Sequence, residues 1–180
     1  MGQYFITANL DKKEFINPHR LGDGLKLREQ GASQGGTLNA IHALLATGSG
    51  RGGGDYIDHP LVGRWGGDRI VVIGDYAERN DLNGVDYAEY IYAACSYTKE
   101  DLSGMTEAER KKALGPFKPR EWTDISDLAR DFLAKQWDLS FGDSGWVTRE
   151  PGPDSVFGVR TEAAMKPDMI IAIPLPEEGQ

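Results

Sequence analysis

An apolar stripe in residues 123–137 constrains the fold more than any other feature of the sequence. Apolar side chains recur there at the three- and four-residue spacing that places them on one helix face: Ile125, Leu128, Ala129, Phe132 and Leu133. Asp124 and Asp127 lie where the positive end of the helix dipole would be, and Lys135 lies near its negative end. The stripe therefore predicts an amphipathic helix that packs on a hydrophobic core.

Local signals predict two more helices and leave a further segment ambiguous. In residues 37–46, four side chains share one face and predict a helix that buries this face: Leu38, Ile41, His42 and Leu45. Thr37 would cap that helix. Thr106 and Glu109 match a capping box, so a short helix is expected at residues 106–114. Residues 87–97 suit a helix or a strand, and the helix is favoured.

Predicted strands lie before and after these helices. Alternating polarity around a turn predicts a β-hairpin in residues 4–16, and a β-branched run predicts a buried central strand at residues 69–73. Shorter strands are expected at four places, residues 25–28, 145–149, 156–160 and 169–173. This order favours an α+β fold. We expect a single domain at residues 1–174, with an N-terminal β-hairpin and a mixed or antiparallel sheet packed by two to four helices, and a flexible tail at residues 175–180.

The charge balance disfavours several classes of partner. Twenty Lys and Arg side chains stand against 28 Asp and Glu, a net charge of -8, and the cations are scattered. Direct binding to nucleic acid or to anionic lipid is therefore disfavoured. The longest apolar run is far shorter than the ~20 residues of a membrane span. No signal-peptide pattern begins the sequence and Cys95 has no partner for a disulfide, so we expect a cytoplasmic protein without membrane contact.

A glycine-rich segment at residues 48–55 is the first candidate binding site. Glycine lets successive backbone N–H groups face an anion, and an arginine nearby would add positive charge. On this basis a small-molecule or nucleotide site would use Arg51, Gly52, Gly53 and Asp55. The segment lacks the lysine of a P-loop, and a predicted helix precedes it where a dinucleotide fingerprint requires a strand. The pattern therefore favours a flexible connection.

Nearby acids and a histidine form a second candidate, a divalent metal site in a metal-dependent hydrolase. The ligands would be Asp55, Asp58, His59 and Asp68. Their spacing matches no established ligand motif, which favours solvated surface acids, and no cofactor is predicted. Cys95 has no adjacent base, and neither Ser49 nor Ser144 lies in a nucleophile elbow. The sequence alone does not decide whether the chain is an enzyme.

Five short segments of the first half of the chain carry a resemblance to a family. They are residues 1–5 (MGQYF), 9–15 (NLDKKEF), 17–19 (NPH), 22–27 (GDGLKL) and 65–69 (WGGDR). Together they resemble a set of small uncharacterised proteins from bacteria and their phages. The resemblance covers residues 1–80 and implies an intracellular bacterial or phage origin. It implies no catalytic residues.

An acidic run at residues 75–89 is the third candidate site. It carries five carboxylates against one arginine: Asp75, Glu78, Asp81, Asp86 and Glu89. With a second acidic stretch at residues 121–143, it predicts a surface for a basic protein partner. The leading hypothesis is a soluble intracellular binding or regulatory module. A phage-encoded inhibitor of a host nucleic-acid-handling protein is one form of it, because acidic side chains can occupy a channel built for phosphates.

Overall fold

A mixed four-stranded sheet forms the centre of the fold in a computed structural model, which describes residues 2–32, 36–137, 139–141, 147 and 148. The strands of the described residues are β1 (Phe5–Asn9), β2 (Glu14–Ile16), β3 (Ile70–Gly74), β4 (Thr123–Asp124), β5 (Ser140–Phe141) and β6 (Val147–Thr148). In the order β3-β1-β2-β4, β1 pairs antiparallel with β2 and with β3, and β4 pairs parallel with β2. β5 and β6 form a separate antiparallel pair.

Helices pack against both faces of this sheet. They are α1 (Leu27–Ala32), α2 (Thr37–Leu45), α3 (Ala88–Ser96), α4 (Lys99–Ser103), α5 (Glu107–Leu114) and α6 (Ser126–Trp137), with a 3-10 turn at Pro18–Leu21. Ile6, Phe15 and Ile73 point to one face and share a core with α3, α4 and α5. Ile16 points to the other face and shares a second core with α2 and α6. The α+β prediction with an N-terminal hairpin and a mixed sheet is confirmed, but the described residues form six helices instead of the two to four expected.

The apolar stripe of residues 123–137 folds as predicted, except at its start. Ala129, Phe132 and Leu133 of α6 are fully buried in the second core. The helix begins only at Ser126, because the two residues of β4 pair with β2. The Asp124 carboxylate accepts a hydrogen bond from the Ser126 N–H at 2.8 Å. This contact satisfies one of the free N–H groups at the helix start.

The helix at residues 37–46 is confirmed, but the prediction of its buried face is wrong. Leu38 is 52% exposed and Leu45 is 41% exposed, whereas Ala40, Ala43 and Leu44 are fully buried. Small alanines let the helix backbone approach the core closely, so the face with less apolar surface is the one that packs. An apolar stripe can indicate a helix without indicating which side of the helix the rest of the chain covers.

Thr37 does not cap α2, contrary to prediction. Its backbone N–H donates to the buried carboxylate of Asp23 at 2.6 Å, so the cap comes from a residue fourteen positions earlier. A Cβ at Gly36 would collide with that carboxylate, so the close approach requires glycine there. The Asp23 carboxylate lies at the positive end of the α2 dipole, and the attraction between the two stabilises the start of the helix.

Two strand predictions are corrected as well. Residues 25–28 form no strand, because α1 begins at Leu27 and residues 25 and 26 lead into it. Gln30 of α1 donates from its side chain to the carbonyls of Phe5 and Leu25, both at 2.9 Å. The strand predicted at residues 69–73 exists as β3, but it lies at an edge of the described sheet rather than at its centre. Val72 in its middle is 47% exposed.

Several other predictions can be compared with the described residues. The ambiguous segment at residues 87–97 is helical, and the capping box of Thr106 and Glu109 is present at the start of α5. No helix in the described ranges is long and apolar enough to cross a membrane. The strands predicted at residues 156–160 and 169–173, the domain boundary at residue 174 and the tail lie outside the described residues.

Candidate functional site

Ion pairs cancel many of the acids on the described part of the chain. The carboxylates that form them are Asp11, Glu14, Glu29, Asp68, Glu121, Asp124, Asp127 and Asp131. None of these belongs to residues 75–89, which we call the acidic segment. Its five carboxylates and one arginine give a local charge of -4. Other described acids also form no ion pair: Asp23, Asp55, Asp58, Glu100, Asp101, Glu107 and Glu109. The acidic segment differs from them in having five such acids within fifteen residues.

The second acidic stretch, at residues 121–143, is different. Glu121 pairs with Lys13, and Arg20 pairs with both Asp124 and Asp127. Asp131 contacts Lys135 at 2.7 Å. The described part of this stretch is thus largely neutralised, by Lys13 and Arg20 from other segments and by its own Lys135. Its contribution to an acidic binding surface stays a prediction.

The acidic segment runs from the end of β3 to the first turn of α3. The Asp75 side chain accepts a hydrogen bond from the Tyr4 N–H at 3.0 Å, which fixes this carboxylate beside β1. Asp81 closes a turn by accepting from the Glu78 N–H at 2.9 Å. Glu78, Asp81 and Asp86 are exposed, while Asp75 and Glu89 are half-buried. Three of the five predicted acids are thus freely accessible to a partner.

Tyrosine side chains lie beside the first of these acids. Tyr4 is 45% exposed and Tyr76 is 58% exposed, and both adjoin Asp75 through the chain or the hydrogen bond described above. On α3, burial raises the pKa of Tyr92, and the Asp75 carboxylate raises it further. Aromatic ring faces attract ammonium and guanidinium groups. Carboxylates and tyrosine rings together therefore provide a local chemistry that suits lysine and arginine side chains.

The glycine-rich segment already holds an anion, which is its own Asp55. One carboxylate oxygen accepts hydrogen bonds from the N–H groups of Arg51 at 2.6 Å and Gly52 at 2.8 Å. These hydrogen bonds, with that from Gly52 the stronger cause, lower the pKa of Asp55. Two of the amides that the sequence assigned to a ligand are therefore occupied. A Cβ at Gly52 or Gly53 would meet no atom within 4 Å, so neither glycine is required by close packing.

A cavity of about 640 Å³ lies next to this segment rather than in it. It is lined by residues 46–50 and 56–59 together with Val62, Gly63 and Gly66, and the predicted ligand residues 51–55 do not line it. The Ser49 hydroxyl donates to the Tyr56 carbonyl at 3.2 Å, and the Ile57 N–H donates to the Gln136 side chain at 2.8 Å. These bonds fix the cavity wall.

The four predicted metal ligands are engaged in different ways. Asp55 binds backbone amides, and Asp68 accepts from the Asn9 side chain at 2.7 Å and pairs with Lys12. Asp58 is exposed on the cavity lining, and His59 is buried. The described ranges contain no group of three or more His, Cys, Asp or Glu side chains that could hold a metal ion.

His59 has both ring nitrogens in hydrogen bonds. Its Nδ1 accepts from the Leu61 N–H at 3.1 Å, so Nε2 carries the proton and donates to Asp131 at 3.0 Å. The hydrogen bonds from His59 and then Lys135 lower the pKa of Asp131. No ring nitrogen is left to act as a general base on a substrate. Burial raises the pKa of the Cys95 thiol well above its ordinary value, which disfavours the thiolate that a nucleophile requires.

Sequence reasoning missed the contribution of Tyr4, Tyr76 and the edge of β3 to the surface beside Asp75. Tyr4 lies in the predicted hairpin and Tyr76 in the acidic segment. The first segment was interpreted only as a strand pattern and the second only by its charge. The exposure of the two tyrosines depends on the pairing of β1 with β3, whose residues are more than sixty positions apart in the chain.

Comparisons with protein-family models, with curated proteins and with solved structures find no match for this chain.

Proposed function

We propose that the chain is a non-catalytic binding or regulatory module that engages a basic protein partner through the acidic segment. One observation carries the proposal: five carboxylates lie within fifteen residues, and none of them takes part in the ion pairs that neutralise eight other acids of the described residues. Like charges that lie close together repel one another and add no stability to the fold. A cationic partner surface would relieve that repulsion and gain electrostatic attraction.

A nucleic-acid-handling protein is the partner class that this chemistry suits. Such proteins present lysine and arginine side chains in a groove that normally receives phosphates. A segment with carboxylates on neighbouring residues can present negative charge to the same groove. A regulatory protein that blocks the groove, including one encoded by a phage, would then act as an inhibitor by competing with the nucleic acid.

A salt-dependent capture experiment tests the proposal. The parent would be compared with a triple variant, Glu78→Gln, Asp81→Asn and Asp86→Asn, for partners from a bacterial lysate at low and high salt. The matched control changes Asp58→Asn, Glu100→Gln and Glu107→Gln, which are exposed acids outside the segment. Each triple change moves the net charge from -8 to -5. Only the position of the removed charges therefore differs between the two variants.

We expect a basic protein that the parent and the control retain at low salt and release at high salt. The segment variant should capture it at least about tenfold more slowly, because removing charges at an interface acts mainly on the association rate. Screening shortens the range of these interactions to about 3 Å at 1 M salt. Equal capture by both variants, or no specific capture at any salt, would contradict the proposal.

Small-molecule binding near the glycine-rich segment is a second candidate, which the adjoining cavity favours because its volume lies in the range of ligand pockets. The test replaces Gly52 and Gly53 together with serine. We expect the free energy of unfolding to change by less than about 0.5 kcal/mol, because both Cβ positions are open. We also expect no thermal shift with nucleotides or phosphate, because Asp55 occupies the amides. A shift in the parent that disappears in the variant would favour this second function instead.

A further inference from the structure

Some backbone N–H and carbonyl groups of β3 point away from β1, toward the outer edge of the sheet. At one end of the β1–β3 pair the Leu10 N–H donates to the Arg69 carbonyl at 2.9 Å, and at the other end the Asp75 N–H donates to the Tyr4 carbonyl at 3.0 Å. In an antiparallel pair, alternate residues bond to the partner strand. Residues 69, 71, 73 and 75 thus face β1, and Ile70, Val72 and Gly74 face the opposite direction.

This outer edge has no strand beside it within the part of the chain that the structure describes. The Gly74 carbonyl accepts from the Ala77 N–H in the following turn, at 3.2 Å. Gly74 is itself buried, with the Gln3 side chain and the Phe5 ring packed against it. That leaves the N–H and carbonyl groups of Ile70 and Val72 for an added strand. Natural sheets usually protect such an edge with lysine, proline, a bulge or a covering loop. The β3 sequence IVVIG contains neither lysine nor proline.

The charge at the end of this edge indicates what could pair with it. β3 leads directly into Asp75 and Tyr76, and Tyr4 lies across from Asp75 on β1. Tyr4 and the Asp75 carboxylate lie on the β1 side of β3, so an extended segment laid along the outer edge would carry its side chains past Tyr76 and on toward Glu78. A segment with lysine or arginine at alternate positions would satisfy the backbone groups of β3 and the carboxylates of the acidic segment together.

We propose that the edge of β3 binds an extended segment of the partner, rich in lysine or arginine, as an additional strand of the sheet. The inference rests on the proposed function and specifies the form in which the basic partner is recognised. Backbone hydrogen bonds to Ile70 and Val72 would provide affinity, and the exposed Tyr76 and carboxylates that follow β3 would select for cationic side chains.

Fluorescence anisotropy with a labelled ten-residue peptide of alternating lysine and threonine tests the inference on the full chain. The variant Val72→Pro removes an N–H that β1 does not use, and proline is tolerated at such outward-facing edge positions. Val72→Thr is the matched control, because it keeps the N–H and a β-branched side chain. A peptide of alternating glutamate and threonine controls for charge. The melting temperature of each variant confirms folding.

We expect the parent and Val72→Thr to bind the lysine peptide within about threefold of each other, and Val72→Pro to bind at least about tenfold more weakly. The peptide should also slow hydrogen exchange at the Ile70 and Val72 amides of the parent, a readout that needs no variant. Unslowed exchange at these amides, equal binding by Val72→Pro, or no binding of the lysine peptide to the parent would overturn the inference. If Val72→Pro binds like the parent while neutralising Glu78, Asp81 and Asp86 weakens binding, strand addition is wrong and the proposed acidic binding function stands.

Discussion

Replacing Phe132 with alanine is expected to lower the free energy of unfolding by about 3–5 kcal/mol. Phe132 is fully buried on α6, in the core that α6 shares with α2. Its ring centre lies 5.3 Å from that of Tyr56 and 5.5 Å from that of His59. Alanine would remove this packing and leave a cavity that the surrounding side chains can fill only partly.

Urea denaturation of the parent and the variant would measure the loss. Phe132→Leu is the control, since leucine retains most of the apolar volume and should cost less than about 2 kcal/mol. The acidic segment lies outside this core, so peptide binding should persist in both variants at temperatures where they remain folded. A loss for alanine that is no larger than the loss for leucine would show that the ring does not fill the core.

Local patterns predicted α6 and the N-terminal hairpin well, because the signals that define them lie within a few residues of one another. The spacing of Ala129, Phe132 and Leu133 fixes one helix face whatever surrounds it. In the hairpin, the Asn9 side chain accepts from the N–H groups of Asp11 and Lys12 at 3.0 and 2.9 Å. A short polar side chain of this kind stabilises a turn from within the turn itself.

Tertiary contacts decided the features that the sequence did not predict. The side of α2 that is buried depends on what packs against Ala40 and Ala43, and the edge position of β3 depends on which strands join the sheet. Hydrophobicity alone made the exposed face of α2 and the run at residues 69–73 look like interior surfaces. Neither the buried side of α2 nor the place of β3 in the sheet can be deduced from sequence periodicity. Periodicity indicates which residues share a face of one element, but not which other elements pack against that face.

The candidate site was predicted only in part for a similar reason. Residues 75–89 and 121–143 both look acidic along the chain, yet the second stretch receives Lys13 and Arg20 from segments more than a hundred positions away. Only the folded arrangement distinguishes an acid that is paired from one that is available to a partner. The acids of residues 75–89 became candidates by their clustering in the sequence, and the structure adds that none of them forms an ion pair.

Replacing Glu14 is expected to cause the second large loss of stability, about 3 kcal/mol for Glu14→Gln. The buried Glu14 carboxylate accepts hydrogen bonds from two nitrogens of Arg64, of which Nε lies at 2.9 Å, and from the indole N–H of Trp65 at 2.8 Å. Trp65 is fully buried, so water cannot replace its acceptor. Glu100→Gln, at an exposed position, is the control and should change stability by less than about 0.5 kcal/mol.

The stabilisation that Glu14 provides is expected to depend on pH. Burial raises the pKa of Glu14, but the hydrogen bonds from Arg64 and Trp65 outweigh burial and hold the pKa below its ordinary value of 4.5. A carboxyl whose pKa is lower in the folded chain than in the unfolded chain contributes its full stability above the unfolded pKa, and this contribution is lost as the pH falls through the folded pKa. The difference in unfolding free energy between the parent and Glu14→Gln should therefore shrink as the pH falls from 6 to 3.

Comparing the two proteins removes the contributions of other carboxylates with lowered pKa values, such as Asp11 and Asp68, which both proteins share. A difference that stays constant over this range would show that Glu14 does not carry its charge into this contact.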